Sequence, residues 1–214
     1  MSNEIFEGLK RAVLEYDAAG ATAWAQKTVE ERLDPLDALD VLTEAIRIVG
    51  DGFGRGDLWL PDLVGASEAM LAAMPIIEAE IARRGAERKS LGNVVIGTVY
   101  GDLHNIGKAM VSTLLTAEGF RVHDLGINVT GERFLQAIKE HDADILAMSA
   151  LMTTTISEQR HVVERLQEAG IRDTIKIMVG GGGVTQEFAE QIGADGYDPT
   201  APGAVKLARK LLGL

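Results

Sequence analysis

The spacing of apolar positions changes near residue 90, and the change divides the chain into two kinds of pattern. Before it, apolar residues recur at helical intervals. In "EIFEGLKRAVLEY" Ile5, Leu9, Val13 and Tyr16 share one helix face, and in "LDALDVLTEAIRIV" Leu39, Leu42, Ile46 and Val49 do the same. Asp34 followed by Pro35 supplies a cap and a first turn. An apolar-rich helix over residues 61–84 carries Met70, Leu71, Met74, Ile77 and Ile81. Residues 1–90 therefore predict a four-helix bundle with short loops. "GDGFGRG" follows a helix rather than a strand and reads as a break between helices, and the charged, glycine-bounded "RRGAERKSLG" reads as a linker.

Beyond the linker, "NVVIGTV", "RVHDLGI", "DILAMSA" and "IKIMVGG" are short apolar runs of the buried parallel-strand type. Helical segments separate them, over residues 106–118, 131–141, 157–169 and 185–192. A short strand at 194–197 precedes a last helix at 203–212. Alternating strands and helices predict a parallel sheet with right-handed crossovers, and five such units over residues 91–214 predict a flavodoxin-like, Rossmann-like α/β domain. Ligands of such sheets sit at the carboxyl ends of the strands. Residues 102–107, 149–155 and 180–183 follow the first, third and fourth strands, so one sheet edge should collect all three.

Composition narrows the chemistry. A net charge of −11 argues against a nucleic-acid face, which needs clustered Lys and Arg. No run approaches the roughly 20 apolar residues that span a bilayer, and "MSNEIFEGLK" lacks a secretion signal, so a cytoplasmic location is expected. With no cysteine, disulfides, iron–sulfur ligation, thiolate zinc sites and cysteine nucleophiles are excluded from this chain.

The three edge segments hold the candidate chemistry. His104 ahead of a helix could be a cap or a solvated side chain. Asp102 two residues earlier suits a metal ligand instead, because a ligating imidazole donates its other ring N–H to a carboxylate. Gly107 leaves room for a bulky group close to the backbone. "MSALMTTT" offers Ser149, Thr153, Thr154 and Thr155, of which at least one is expected to cap the following helix. The four glycines of "VGGGG" fit either a turn with positive φ or backbone laid against a large ligand. Neither G-x-x-x-x-G-K-[ST] nor G-x-G-x-x-G occurs, so phosphate binding fits less well. His123, His141 and His161 lack comparable context and read as structural or solvated.

Taken together, "DLHNIG", "SALMTTT" and "VGGGG" resemble the D-x-H-x-x-G, S-x-L and G-G elements of the cobalamin-binding module of corrinoid methyltransferases, as in cobalamin-dependent methionine synthase. "VGDGFGRGDLWLPDLVGASEAM" is similar to the helical cap of that family, so the resemblance covers nearly the whole chain. It is closest to the free-standing corrinoid proteins of methylamine and methanol systems. The resemblance implies cobalamin bound base-off and His-on. His104 would be the lower axial cobalt ligand, Asp102 would hold its other nitrogen, and Thr155 would hold Asp102. Asn105, Ile106 and Gly107 would complete the first cofactor loop. Ser149, Leu151, Thr153 and Gly180, Gly181 and Gly182 would border the slot for the displaced nucleotide tail, and Phe53 and Leu60 would cover the upper corrin face. Asn105 stands where many members carry a second aspartate, Thr155 replaces a serine seen in some, and "DLGINVTGE" departs from the usual second loop.

The same resemblance implies a methyl-carrying subunit without net turnover of its own. Cobalt(I) would take a methyl group from a substrate-specific methyltransferase and yield it to an acceptor methyltransferase, for transfer to a thiol or a tetrahydrofolate-type acceptor. A reductive activator would be the third partner, with no nucleic acid and no membrane involved. Two alternatives share parts of the pattern. A cobalamin-dependent regulator usually adds a DNA-binding domain, for which a 214-residue chain with a net charge of −11 leaves no room. A mutase subunit shares D-x-H-x-x-G but does not need this helical cap.

Overall fold

The computed structural model describes residues 2–85 and 90–214. The expected linker "RRGAERKSLG" includes residues 86–89, which lie outside the described residues. The chain forms two compact units, Met1–Lys89 and Ser90–Leu214.

The first unit is built from α1 (Ser2–Leu14), α2 (Ala18–Glu30), α3 (Pro35–Arg55) and α4 (Leu60–Arg83). Ile5, Leu9 and Val13 bury the predicted face of α1, whereas Tyr16 lies past its end at φ 63° and is exposed. Leu39, Leu42, Ile46 and Val49 bury the face of α3, which starts with the Asp34 carboxylate accepting from Leu36 N–H at 2.9 Å. The glycine-rich stretch does not break the helix as expected. Residues 50–55 continue α3, which ends only at Gly56, in the left-handed region at φ 80°. Gly52 is inside that last turn because a Cβ there would sit 2.8 Å from Leu58 Cδ1. Among the described residues α4 alone is long and apolar enough by length and mean hydropathy to cross a bilayer, but Asp62, Glu68, Glu78 and Glu80 interrupt it, so it is not a continuous apolar run. Leu63, Ala66, Met70, Ala73 and Ile77 are nevertheless buried, and α4 packs on α2 and α3 as the bundle's central helix.

The second unit contains β1 (Asn93–Thr98), α5 (Ile106–Glu118), β2 (Arg121–Asp124), α6 (Gly131–Glu140), β3 (Ile145–Ser149), α7 (Ile156–Glu168), β4 (Lys176–Gly180), α8 (Gln186–Gln191), β5 (Gly196–Tyr197) and α9 (Ala201–Leu211). All strand pairs are parallel, in the order β2-β1-β3-β4-β5. The order reverses between β1 and β3, the switch point at which a crevice opens beyond the strand ends. Val95, Leu146, Ile177 and Val179 line one sheet face and pack with Phe134, Val163 and Leu166 from α6 and α7. The other face carries α5 against α9. Register then sets the site. Thr98 pairs with Ser149 and Ser149 with Gly180, so β1, β3 and β4 end in one row and their three loops leave side by side.

Candidate functional site

Asp102 is the centre of the edge. It is completely buried, a position a carboxylate tolerates only with its oxygens hydrogen-bonded. Oδ1 accepts from His104 N–H at 3.0 Å and lies 2.7 Å from His104 Nδ1. Oδ2 accepts from Thr155 Oγ1 at 2.6 Å and from the N–H groups of Leu151 and Met152 at 2.8 and 3.2 Å. Burial disfavours the charged form, yet the bonds from Thr155, from His104 backbone and ring, and from Leu151 outweigh it, and the carboxyl is held well below the usual range. One ionised group thus ties the loop after β1 to the loop after β3.

That ion selects the tautomer of His104. A carboxylate only accepts, so Nδ1 carries a proton, and in the neutral ring the lone pair is on Nε2. The His104 carbonyl is held by Thr98 Oγ1 at 2.9 Å, while its side chain remains half exposed. The result is an oriented imidazole whose Nε2 lies on the ring edge away from Asp102. Among the described residues no three His, Asp or Glu side chains gather to hold a bare ion. A single imidazole donor suits a metal that brings its other ligands with it, as cobalt does in a corrin ring. Gly107, one residue into α5, faces open space where a Cβ would meet nothing within 4 Å. The donor set and the space beside it fit a corrinoid.

The remaining edge residues divide into buried anchors and exposed lining. Thr155 occupies the N-cap position of α7 but makes no cap bond; its hydroxyl serves Asp102, so the expected capping role is not filled there. Ser149 is half-buried, while Leu151 and Thr153 are exposed, as are Asn105 and Ile106 at the start of α5. Gly181 has φ 122°, and a Cβ on it would lie 1.9 Å from Ala150 O. The fold itself therefore requires that glycine. Gly180 and Gly182 have ordinary φ; a Cβ on Gly182 would meet only the Leu151 side chain, at 2.7 Å. In the first unit, Phe53 is half-buried in the last turn of α3, and Leu60 opens α4 and is exposed.

Several participants escaped the sequence reading. Leu103, 66% exposed, and the exposed Ile127 and Met152 surround the His104 loop with apolar surface of the kind that marks a binding site. Asn128, at φ 56°, accepts from Gly101 N–H at 2.8 Å and donates its own N–H to Asp102 O at 3.1 Å, bracing the loop from the β2 side. Lys108, buried on α5, pairs with Asp124 at the end of β2. A groove of about 500 Å³ lined by Tyr100, Thr130, Glu132, His161 and Arg165 shares no residue with the Asp102 cluster. Its Arg165 pairs with Glu132 at 2.6 Å and its His161 with Glu158 at 3.2 Å.

Known proteins align with both units. B12 binding domain models match residues 92–206 and residues 5–78. A corrinoid protein of Desulfitobacterium hafniense is 41% identical over the full length of both chains. Trimethylamine corrinoid protein 1 of Methanosarcina acetivorans is 42% identical, covering 98% of this chain and 97% of its own. The methanol:cobalamin methyltransferase complex of Methanosarcina barkeri contains a chain that superposes with a TM-score of 0.84 at 31% identity, covering all of this chain and 81% of that one. With matches of this extent, the chain belongs to the corrinoid proteins of methylamine and methanol methyltransferase systems, which have a cobalamin-binding, Rossmann-like domain.

Proposed function

We propose that this chain is a methyl carrier that holds cobalamin base-off, with His104 Nε2 as the protein's axial ligand. The observation that carries the reading is the 2.7 Å contact between His104 Nδ1 and the buried, ionised Asp102, which selects the imidazole tautomer whose lone pair is on Nε2. When bound, the corrinoid supplies a metal that can accept a methyl group and release it again. Asp102 holds the Nδ1 proton and sets the basicity of Nε2, Thr155 holds Asp102, and the Ser149, Leu151, Thr153 and Gly180–Gly182 loops border the displaced tail. By the family resemblance, residues 1–90 would act as a cap, with Phe53 and Leu60 as its residues toward the cofactor. Among the described residues the loops after β1, β3 and β4 offer no acid to activate a donor, and a chain without cysteine has no thiolate metal site for an acceptor. Those parts belong to a substrate-specific methyltransferase and an acceptor methyltransferase acting in the cytoplasm, with a reductive activator to restore the metal.

Paramagnetic resonance of the cobalt(II) form, reconstituted in protein labelled with ¹⁵N-histidine, tests this. Hyperfine coupling to a histidine nitrogen is expected in the native chain and absent in His104→Ala. Coupling to the cofactor's own benzimidazole nitrogen instead would overturn the ligand assignment. For the cap, Phe53→Ala and Leu60→Ala should each speed photolysis of bound methylcobalamin; unchanged rates would remove that role.

A further inference from the structure

Gln159 belongs to no motif, yet it is completely buried in the second turn of α7. Its Nε2 donates to Met148 O at 3.1 Å and to Gly180 O at 3.1 Å. Met148 is the penultimate residue of β3 and Gly180 the last of β4. Gly180 O also accepts from Ala150 N–H at 3.0 Å, the last backbone bond between the two strand ends before the loops separate. The amide oxygen, Oε1, is buried and has no partner among the described residues. An orphaned buried acceptor lowers stability, and an apolar side chain of equal volume would avoid that penalty. What the amide alone provides is two N–H donors at one point, spanning the carbonyls of neighbouring strands.

The loops above are placed so that a shift at this point cannot be absorbed. The Cα of Gly181 packs against the Ala150 carbonyl so closely that no Cβ fits, and the Leu151 side chain lies over Gly182. Strand ends that spread or slide would carry both loops with them.

We infer that Gln159 is a positioning residue that sets the separation of the loops after β3 and β4, and through it the width of the slot for the nucleotide tail. The inference rests on the reading that Ser149 and Gly180–Gly182 border that slot. A residue acting only on general stability would weaken every corrinoid alike. One acting on the slot discriminates between cobalamin and cobinamide, which shares the corrin and cobalt but has no nucleotide tail.

Dissociation constants of both compounds should be measured on the full chain by absorption titration, for the native protein, Gln159→Met and Gln159→Glu. Met removes both donors at similar volume, and Glu sets a carboxylate against two carbonyls. Cobalamin is expected to bind about tenfold more weakly to either variant, the loss of a buried hydrogen-bond pair, with cobinamide changed by less than about twofold. Thermal unfolding of the cofactor-free proteins identifies a variant that fails to fold, and the other then supplies the ratio. An unchanged cobalamin-to-cobinamide ratio, whether both affinities fall or neither does, overturns the inference. If the native chain binds neither compound, the carrier reading itself fails, and the inference with it.

Discussion

The loops after β1 and β4 end at the same sheet edge but are fixed by opposite means. Around Asp102 the lock is polar: one buried carboxylate gathers donors from three other residues besides His104. Around Gly181 it is steric: backbone lies on backbone, with space for a hydrogen and nothing larger. A polar lock can be tuned by a single hydroxyl, because each donor contributes a separable part. A steric lock is all or none. The tunable lock is the one that holds the His104 imidazole, the proposed ligand, and the rigid one fixes the loop after β4.

The largest effect is expected from breaking the steric lock. Gly181→Ala forces a methyl group into the Ala150 carbonyl at a φ of 122° that L residues rarely adopt. Strain and overpacking together should cost about 3 kcal/mol or more in urea unfolding of the second unit. A loss below about 1 kcal/mol would show that the loops part easily and that the contact at Gly181 is not a lock.

Loosening the polar lock comes next. Thr155→Val keeps the shape but takes away the 2.6 Å donor to Asp102, so the unfolding free energy should fall by about 2 kcal/mol, the scale of a hydrogen bond to a buried charge. Thr155→Ser retains the hydroxyl and should stay within about 0.5 kcal/mol of the native chain. Equal losses in the two variants would mean that the methyl group, not the hydroxyl, is what matters.

The two locks were not equally legible. Parallel strands and the shared edge follow from apolar runs, and D-x-H-x-x-G spacing exposes the Asp102–His104 pair because both partners lie in one short segment. Only the family resemblance assigns Thr155 to Asp102, because a helix cap and a bond to a carboxylate 53 residues away leave the same trace in the residues themselves. Gln159 left none, since a buried glutamine looks like a solvated one until the strand carbonyls are placed. The first unit failed in the other direction. Glycines in "GDGFGRG" suggested a break, but Leu58 packing on Gly52 keeps the turn helical. The buried positions of α2, Ala21, Ala25 and Thr28, are too small and polar to announce a helical face.

A third glycine separates fold from site. Gly107 has ordinary helical φ, and a Cβ there would meet only open space. Gly107→Ala should therefore stabilise the cofactor-free protein by about 0.5–1 kcal/mol through helix propensity, while weakening cobalamin binding. Thermal unfolding and titration of the same sample read both. A variant that is stabilised and still binds as the native chain does would show that no ligand approaches this face of α5.

The smallest effect separates the polar lock from a second titrating site on the same unit. His123 on β2 stacks on His141 with ring centroids 3.7 Å apart and planes 9° from parallel. Burial, and then the charges of His141 and Arg121, lower its pKa from the ordinary 6.5. The folded state thus binds fewer protons than the unfolded chain. Its stabilising contribution is full above pH 6.5 and is lost as pH falls through the lower folded value. Asp102, also depressed, contributes fully above its ordinary 3.8 and loses that contribution only as pH falls below it. Stability lost between these two values therefore includes the His123 share, and loss at lower pH includes the Asp102 share. His123→Phe preserves a ring against His141 and removes the titration, so the unfolding free energy should vary less between pH 6.5 and 4 than in the native chain, with the steeper acid limb unchanged. A native-like slope in that window would assign the loss to other groups and leave the stack without a role in pH dependence.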